Sequence, residues 1–278
     1  MSGTLYVVAT PLGNLEDITL RALRILKEVA LVACEDTRRT RILLTHFGIQ
    51  VSVTSYFEHN KLRKGARLLE TLRAGQSVAL VTDAGTPGIS DPGFLLVRQA
   101  REAGVPVVPV PGPSAVVTAL SAAGLPADRF VFEGFLPVKP GRRIHRLEAL
   151  RDLEMTVVCY ESPHRILATL DAVGQVWGDR EIVVARELTK QFEEIASLRC
   201  DALPAWLQAS PQRSRGEFAL VLHAVAQVRE EGQARRVLQL LLAELPTKTA
   251  VKLAAEITGA ARNELYEQAL AWKKDGAG

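Results

Sequence analysis

Three loops concentrate the residue types that bind small molecules, and the richest is the segment 82–93, Thr-Asp-Ala-Gly-Thr-Pro-Gly-Ile-Ser-Asp-Pro-Gly. It holds three glycines, two prolines and two aspartates directly after the apolar run at 78–81. Small residues that present backbone donors beside the Asp83 carboxylate suit a ligand with amide and hydroxyl groups. A long structural turn is the alternative. Asp91 and Pro92 are typical of a helix start, as cap and first-turn residue.

The other two loops follow strand-like runs in the same half of the chain. Residues 10–17 come after Leu5–Ala9, and Gly13 permits a close backbone approach there. Residues 109–115 contain three prolines and a glycine, and a helix starting at Pro113 or Ser114 would leave free amide groups to face a ligand. The alternatives are a tight strand-to-helix connection for the first of these loops and a linker between domains for the second.

The elements that position these loops are short apolar runs separated by helical periods. Runs without polar alternation, spaced by helices, predict mostly parallel sheets covered on both faces. The predicted strands lie near residues 5–9, 31–34, 51–54, 77–82, 105–110, 130–135, 156–160, 182–185 and 217–222. From residue 235 onward the pattern is purely helical. We therefore expect an α/β domain over 1–115, a second over 116–228 and a small helical appendix over 229–278.

Composition and charge limit the class of protein. The 278 residues carry a formal net charge of +3 and three scattered cysteines, which disfavours a disulfide framework and a zinc site. We expect no metal. The sequence has neither a GxGxxG nor a GxxxxGK[ST] motif, which disfavours NAD enzymes, kinases and NTPases. No signal peptide and no apolar stretch of about 18 residues is evident, so we expect a cytoplasmic protein without a membrane span.

Three runs are locally basic, at residues 38–41, 59–67 and 139–146, although the total charge does not require a nucleic-acid partner. All follow predicted strand ends, so they are candidates for contacts with phosphates on one face. A solvated face is the alternative for each run. The RNA-binding candidates are Arg38, Arg39, Arg41, Lys61, Lys64, Arg142, Arg143 and Arg146.

Seven segments, in this order, resemble one family of enzymes. They are ATPLGNLEDIT, ACEDTRRTR, TDAGTPGISDPG, PGPSA, EGFLP, YESPHR and ARELTK. They are similar to the small-subunit ribosomal RNA methyltransferase I family, which belongs to the tetrapyrrole-methylase-like (class III) methyltransferases. The resemblance extends from about Gly3 to Leu222, and the helical end is in keeping with it.

The resemblance implies two α/β domains with S-adenosylmethionine in the cleft between them, and a homodimer. It implies 2′-O-methylation of a cytidine ribose in the decoding region of 16S ribosomal RNA in the small subunit. By motif, the residues implied to bind the cofactor are Pro11, Leu12, Gly13, Asp83, Ala84, Gly85, Thr86, Ile89, Ser114, Ala115, Tyr160 and Leu188. The first loop is less glycine-rich than in tetrapyrrole methylases, which favours the RNA branch.

Methyl transfer from a sulfonium is an in-line displacement that depends on positioning. A ribose hydroxyl is a poor nucleophile at neutral pH, so a base and a nearby cation would assist. Glu187 is the candidate base and Lys190 the candidate cation, with a surface salt bridge as the alternative. Further candidate carboxylates are Glu16, Asp17, Glu35 and Asp36, of which Asp17 fits a helix cap better.

The sequence is also compatible with other functions. A tetrapyrrole methyltransferase shares the fold and the cofactor, although the basic runs disfavour it. A non-enzymatic ribosome assembly factor retaining the fold is a second alternative, which the intact loop at 83–93 disfavours. A phosphate-binding α/β domain is a third, which the missing nucleotide motifs disfavour.

Overall fold

The computed structural model describes residues 2–57, 61–153, 155–223 and 231–275. The chain forms two compact units, Met1–Leu150 with Thr156–His223, and Arg151–Met155 with Ala224–Gly278. The first unit contains both predicted sheets and the second contains the helical end. Within the described residues, no helix is long and apolar enough to cross a membrane.

The first sheet is fully parallel, as the unbroken apolar runs predict. Its strands are β1 (Leu5–Val8), β2 (Leu31–Cys34), β3 (Ser52–Ser55), β4 (Val78–Leu80) and β5 (Val107–Val110), in the order β3-β2-β4-β1-β5. The helices that follow these strands are α1 (Leu20–Glu28), α2 (Thr37–His46), α3 (Lys61–Arg73), α4 (Phe94–Glu102) and α5 (Ala115–Ala123). The sheet is buried on both faces because α1 and α2 cover one core cluster and α3 and α4 the other.

Two helix starts differ from the prediction. Asp91 and Pro92 do not begin α4, because Gly93 at φ 152° turns the chain and the helix starts at Phe94. Asp17 does not cap α1 either. It ends a short 3₁₀ helix, Leu15–Asp17, and the Thr19 side chain accepts the N-terminal hydrogen bond of α1 from the Ala22 N–H at 3.1 Å.

The second sheet consists of β6 (Phe130–Phe135), β7 (Thr156–Glu161), β8 (Glu181–Arg186), β9 (Glu194–Arg199) and β10 (Phe218–Leu222), in the order β6-β7-β10-β8-β9. Only β6 and β7 pair in parallel, and the other three pairings are antiparallel. The expectation of mostly parallel sheets is therefore wrong for this domain. The seven residues 187–193 that join β8 to β9 are too few for a parallel crossover.

Helices also flank the second sheet. They are α6 (Pro140–Arg151), α7 (Ile166–Trp177) and the short α8 (Leu203–Gln208). The apolar face of α5 packs against this sheet, with Val116 and Leu120 in one core cluster with Val183 and Val221. The domain boundary after residue 115 stays a prediction, and this packing of α5 supports it.

The helical unit contains α9 (Glu231–Glu244), α10 (Thr247–Thr258) and α11 (Arg262–Asp275). The prediction of about three helices is thus confirmed. Their core is formed by small and aliphatic side chains, among them Leu238, Val251, Ala254 and Leu265. Gly259 ends α10 in the left-handed conformation, φ +66°, which lets the chain turn directly toward α11.

Candidate active site

The loops after β1 and β4 meet because these strands are neighbours in the first sheet. Thr10 and Gly85 exchange two backbone hydrogen bonds, each of 2.9 Å. The Thr10 hydroxyl also donates to the Thr82 carbonyl at 3.0 Å. Gly85 has φ +83°, a conformation that favours glycine, and a β-carbon there would lie 3.4 Å from Leu12 Cδ2. The two loops therefore form one rigid edge.

The third loop is attached to the same edge. The Thr86 hydroxyl donates to the Pro113 carbonyl at 3.1 Å. Helix α5 starts at Ala115, one residue after the later of the two predicted starts, and the Ser114 side chain at its N-cap makes no capping hydrogen bond. The amide groups of Ser114 and Ala115 thus lie without a side-chain cap at the end of a loop that Thr86 holds in place.

A cavity of about 400 Å³ opens between these loops and the second sheet. Ten of the twelve residues predicted to bind a cofactor line it. They are Leu12, Asp83, Ala84, Gly85, Thr86, Ile89, Ser114, Ala115, Tyr160 and Leu188. Pro11 and Gly13 instead line a smaller cavity of about 200 Å³, which shares Leu12, Arg39 and Asp83 with the first.

Several lining residues were not predicted as ligand-binding. Phe135, Glu161, Ser162 and Pro163 belong to the segments EGFLP and YESPHR, so their motifs carried a signal. Glu35, Ser90, Asp91 and Ala185 also lie in quoted segments, whereas Glu217, Phe218 and Ala219 lie outside all of them. Glu217 and Phe218 reach the cavity because β10 runs antiparallel between β7 and β8, an arrangement that the apolar pattern of β10 does not reveal.

Aromatic side chains form one wall of the cavity. The ring of Tyr160 makes edge contacts with Phe132 and Phe135, with centroid distances of 4.9 and 5.9 Å. Burial raises the pKa of Tyr160 to about 12, although a hydrogen bond with the Val116 backbone opposes the shift. Tyr160 is therefore a neutral phenol that supports the first turn of α5.

Acidic side chains dominate the charge of the cavity wall. The carboxylates are Glu35, Asp83, Asp91, Glu161 and Glu217, against the cations Arg39 and Lys190. Asp83 is fixed, since it accepts the Asp36 backbone N–H at 3.0 Å and lies 3.5 Å from the Arg39 guanidinium. Burial raises the pKa of Glu35 and of Asp91, and the charge of Asp83 adds to both shifts.

The two predicted catalytic residues are joined to each other. Glu187 Oε1 accepts hydrogen bonds from Lys190 Nζ and from the Glu217 backbone, both at 2.9 Å. Lys190 Nζ also lies 2.9 Å from Glu217 Oε2. Glu187 and Thr189 both have positive φ, 52° and 65°, and such backbone strain is concentrated at functional sites.

This arrangement does not support the prediction that Glu187 is a base. Its side chain does not line the cavity, whereas Lys190 does. Burial raises the pKa of Glu187, but the hydrogen bonds from Lys190 and Glu217 outweigh it, and the net pKa is lowered. Glu187 instead holds the Lys190 ammonium through this hydrogen bond.

The predicted RNA-binding residues of α2 and α3 are mostly accessible. Arg38 is exposed and pairs with Asp36 at 2.7 Å, and this pairing lowers the pKa of Asp36 to about 2. Arg39 lies on the wall of both cavities, and Arg41 is exposed. Lys61 and Lys64 are half-buried, and Lys64 Nζ donates to Thr54 Oγ1 at 3.0 Å. His59, in the same basic run, is outside the described residues.

The three candidates on α6 have different roles. Arg142 is exposed. Arg143 is only 5% exposed, and its guanidinium donates to the carbonyls of Pro137 and Val138 at 3.2 and 2.8 Å. This arrangement does not support the prediction that Arg143 binds RNA, because these carbonyls and the protein core enclose the side chain. Arg146 is exposed but forms a two-bond pair with Glu133.

Comparisons with known proteins identify the fold and the family. Residues 4–204 match the family model of the Tetrapyrrole (Corrin/Porphyrin) Methylases, and residues 229–273 match that of the RsmI C-terminal HTH domain. Solved structures share the fold at low identity. A cobalt precorrin-4 methyltransferase has a TM-score of 0.61 at 18% identity, covering 79% of this chain and 94% of its own. A Thermus thermophilus uroporphyrin-III C-methyltransferase, complexed with S-adenosylhomocysteine, has a TM-score of 0.56 at 20% identity, covering 80% and 97%.

Much closer relatives cover nearly the whole chain. The Ribosomal RNA small subunit methyltransferase I of Pseudomonas aeruginosa is 54% identical over 97% of both chains. The protein of the same name from Escherichia coli O157:H7 is 50% identical over 96% of this chain and 95% of its own. The resemblance drawn from the seven segments is confirmed, and so is the two-domain fold with its helical end. The chain belongs to the ribosomal RNA small subunit methyltransferase I family.

Proposed function

We propose that this protein transfers a methyl group from S-adenosylmethionine to the 2′-oxygen of a cytidine ribose in the decoding region of 16S ribosomal RNA. The observation that carries the proposal is the single cavity lined by ten residues of the cofactor motifs. The names of the relatives specify a small-subunit ribosomal RNA methyltransferase. The nucleotide and the 2′-oxygen come from the family resemblance.

The cavity suits the cofactor in size and in charge. Its volume of about 400 Å³ is typical of small-molecule sites. S-adenosylmethionine carries a sulfonium and an ammonium against one carboxylate, so its net charge is positive. A wall with five carboxylates and two cations favours such a ligand. When bound, the cofactor supplies an activated methyl group.

The wall offers groups that could hold each part of the cofactor. Leu12, Ile89 and Leu188 offer apolar surface for the adenine ring. The amide groups at the start of α5, around Ser114 and Ala115, would hold the cofactor carboxylate. Acidic side chains such as Asp83 would hold its cationic groups. Lys190, fixed by two carboxylates, would stay protonated, since its pKa is raised.

The exposed arginines account for the RNA substrate in this proposal. Arg38 and Arg41 lie on α2, and Arg39 on the same helix reaches the cavity wall. Exposed guanidinium groups beside the cavity would neutralise phosphates and orient the ribose. The homodimer and the cytoplasmic location stay predictions.

The test is transfer of a labelled methyl group to small ribosomal subunits that lack the modification. Naked 16S RNA and a tetrapyrrole precursor serve as parallel substrates. Digestion to nucleosides should recover the label as 2′-O-methylcytidine. Label in the tetrapyrrole alone would overturn the proposal in favour of the sister branch, and cofactor binding without any transfer would favour an assembly factor.

A further inference from the structure

Glu35 has an environment unlike that of Asp83, Glu161 and Glu217 on the cavity wall. It follows β2 directly, and β2 pairs with β4, so Glu35 lies beside the loop that carries Asp83 and Asp91. Its side chain is half-buried. In the part of the chain that the structure describes, its carboxylate makes no hydrogen bond and no ion pair.

Other carboxylates on this wall are already engaged. Asp83 holds the Asp36 backbone and Arg39, and Glu217 holds Lys190. Glu161 is buried and accepts hydrogen bonds from the Ser162 N–H at 2.8 Å and the Thr169 hydroxyl at 2.6 Å. A carboxylate that is already hydrogen-bonded gains less from accepting a proton. Glu35 keeps its proton-accepting capacity.

The position of Glu35 along the chain also brings it close to the exposed arginines. Asp36 caps α2, whose first turns carry Arg38, Arg39 and Arg41. Glu35 thus lines the cavity next to the helix on which RNA phosphates are proposed to bind. Its carboxylate is available to a ribose that these arginines would hold at the cavity.

We propose that Glu35 is the general base that accepts the proton of the attacking ribose hydroxyl, an inference that rests on the proposed function. The O–H bond breaks and its proton moves to a Glu35 oxygen. The ribose oxygen forms a bond to the methyl carbon as the carbon–sulfur bond breaks. The electron pair of that bond stays on sulfur, which changes from a sulfonium to a neutral thioether.

The surroundings of Glu35 suit this role at neutral pH. Burial raises the pKa of Glu35, and the charges of Asp83 and Asp91 raise it further. Arg39 opposes this shift, and the charge of Asp36 adds a smaller increase. A base whose pKa is closer to the working pH transfers protons more effectively. Glu35 therefore takes up a proton more readily than an ordinary exposed glutamate, and it loses its capacity as a base as the pH falls.

The test compares Glu35→Gln with the matched control Glu70→Gln, which changes an exposed carboxylate on α3. Calorimetry should find that both variants bind S-adenosylmethionine within about threefold of the wild-type affinity. Single-turnover methyl transfer should fall by roughly 10² to 10⁴-fold in Glu35→Gln alone. Glu35→Asp should retain part of the rate. The wild-type rate should rise with pH to a plateau, and that rise should be absent in Glu35→Gln.

The outcomes separate this inference from the proposed function. A wild-type protein that methylates no ribose would overturn the proposed function itself. If the wild type methylates ribose and Glu35→Gln transfers at nearly the same rate, the base is another group. Loss of the pH dependence in Asp91→Asn instead would identify that group as Asp91. Loss of cofactor binding in Glu35→Gln would make Glu35 a cofactor ligand and overturn its role as base.

Discussion

Gly13 lies directly against the side chain of Lys190. A β-carbon at residue 13 would stand 2.2 Å from Lys190 Cγ, which is well inside the contact distance of two carbon atoms. Next to it, the Asn14 N–H donates to the Thr189 hydroxyl at 3.2 Å. The loop after β1 therefore meets the segment after β8 at a point where residue 13 must lack a side chain.

Gly13→Ala should separate these two segments. The new methyl group overlaps the Lys190 stem, so we expect the free energy of unfolding to fall by about 1–3 kcal/mol. Leu12 and Leu188 line the cavity on either side of this contact, so cofactor affinity should fall by about tenfold or more. Thermal denaturation and calorimetric titration with S-adenosylmethionine measure the two effects.

The control for this prediction is Gly141→Ala. A β-carbon at Gly141 would meet nothing within 4 Å, and its φ is not positive, so this change should leave stability and affinity unaltered or slightly improved. Combining Gly13→Ala with Lys190→Ala removes the overlapping stem, and part of the lost stability should return. A double variant that is as unstable as the sum of both single variants would contradict the proposed contact.

Glu187→Gln should reveal the positioning role of Glu187 through pH. In the wild type the net pKa of Glu187 is lowered, so its ionised form stabilises the fold. This stabilisation is fully present above pH 4.5, the pKa of Glu187 in the unfolded chain. It is lost as the pH falls through the lower pKa of Glu187 in the folded protein. The stability difference between wild type and Glu187→Gln should thus be about 1 kcal/mol at pH 7 and vanish in acid.

Urea denaturation at several pH values between 3 and 7 measures this difference. Glu193→Gln is a useful comparison, because Glu193 also follows β8 but accepts a hydrogen bond from the Thr189 backbone rather than from Lys190. If Glu187 were the base, Glu187→Gln would abolish methyl transfer at full cofactor occupancy. We expect instead a modest loss of activity that follows the displacement of Lys190.

The loops of the first domain could be predicted from sequence because their chemistry is local. Glycine and proline spacing marks the turns at 10–17, 82–93 and 109–115, and parallel strands bring such turns to one edge. The direction of strands in the second sheet could not be predicted in this way. β10 is buried along its whole length, so its apolar run looks the same for a parallel or an antiparallel strand.

Residues that depend on tertiary position escaped the sequence analysis. β9 alternates between half-buried and exposed residues and carries charges at both ends, so it lacks the apolar run by which the other strands were found. Glu217 lines the cavity only because β10 is inserted between β7 and β8. Arg143 looks like its exposed neighbour Arg142 in sequence, and only the carbonyls of Pro137 and Val138 distinguish them.

Tyr160→Phe should remove a structural hydrogen bond without changing the ionisation of the site. The phenol interacts with the Val116 backbone, so its loss should lower the free energy of unfolding by about 1 kcal/mol. Because the pKa of Tyr160 is raised to about 12, the phenol stays neutral up to pH 11. Ultraviolet titration between pH 8 and 11 should therefore count the same number of ionising tyrosines in both proteins. One fewer in the variant would contradict the raised pKa.

Arg142→Ala and Arg143→Ala should separate RNA binding from folding on one helix. Arg143 is buried, and its removal leaves two carbonyls without their donor, so we expect a loss of about 2–3 kcal/mol in the free energy of unfolding. Arg142 is exposed, and its removal should change stability by less than about 0.5 kcal/mol.

If Arg142 contacts a phosphate, its loss should weaken RNA binding and reduce the salt dependence, the slope of log K against log salt, by roughly 0.7–0.9. Filter binding at several salt concentrations measures that slope. Arg143→Lys keeps the charge but not the paired donor geometry, so this variant should remain destabilised. An Arg143→Ala protein of wild-type stability with a reduced slope would restore Arg143 as an RNA ligand, because only an exposed guanidinium could behave in that way.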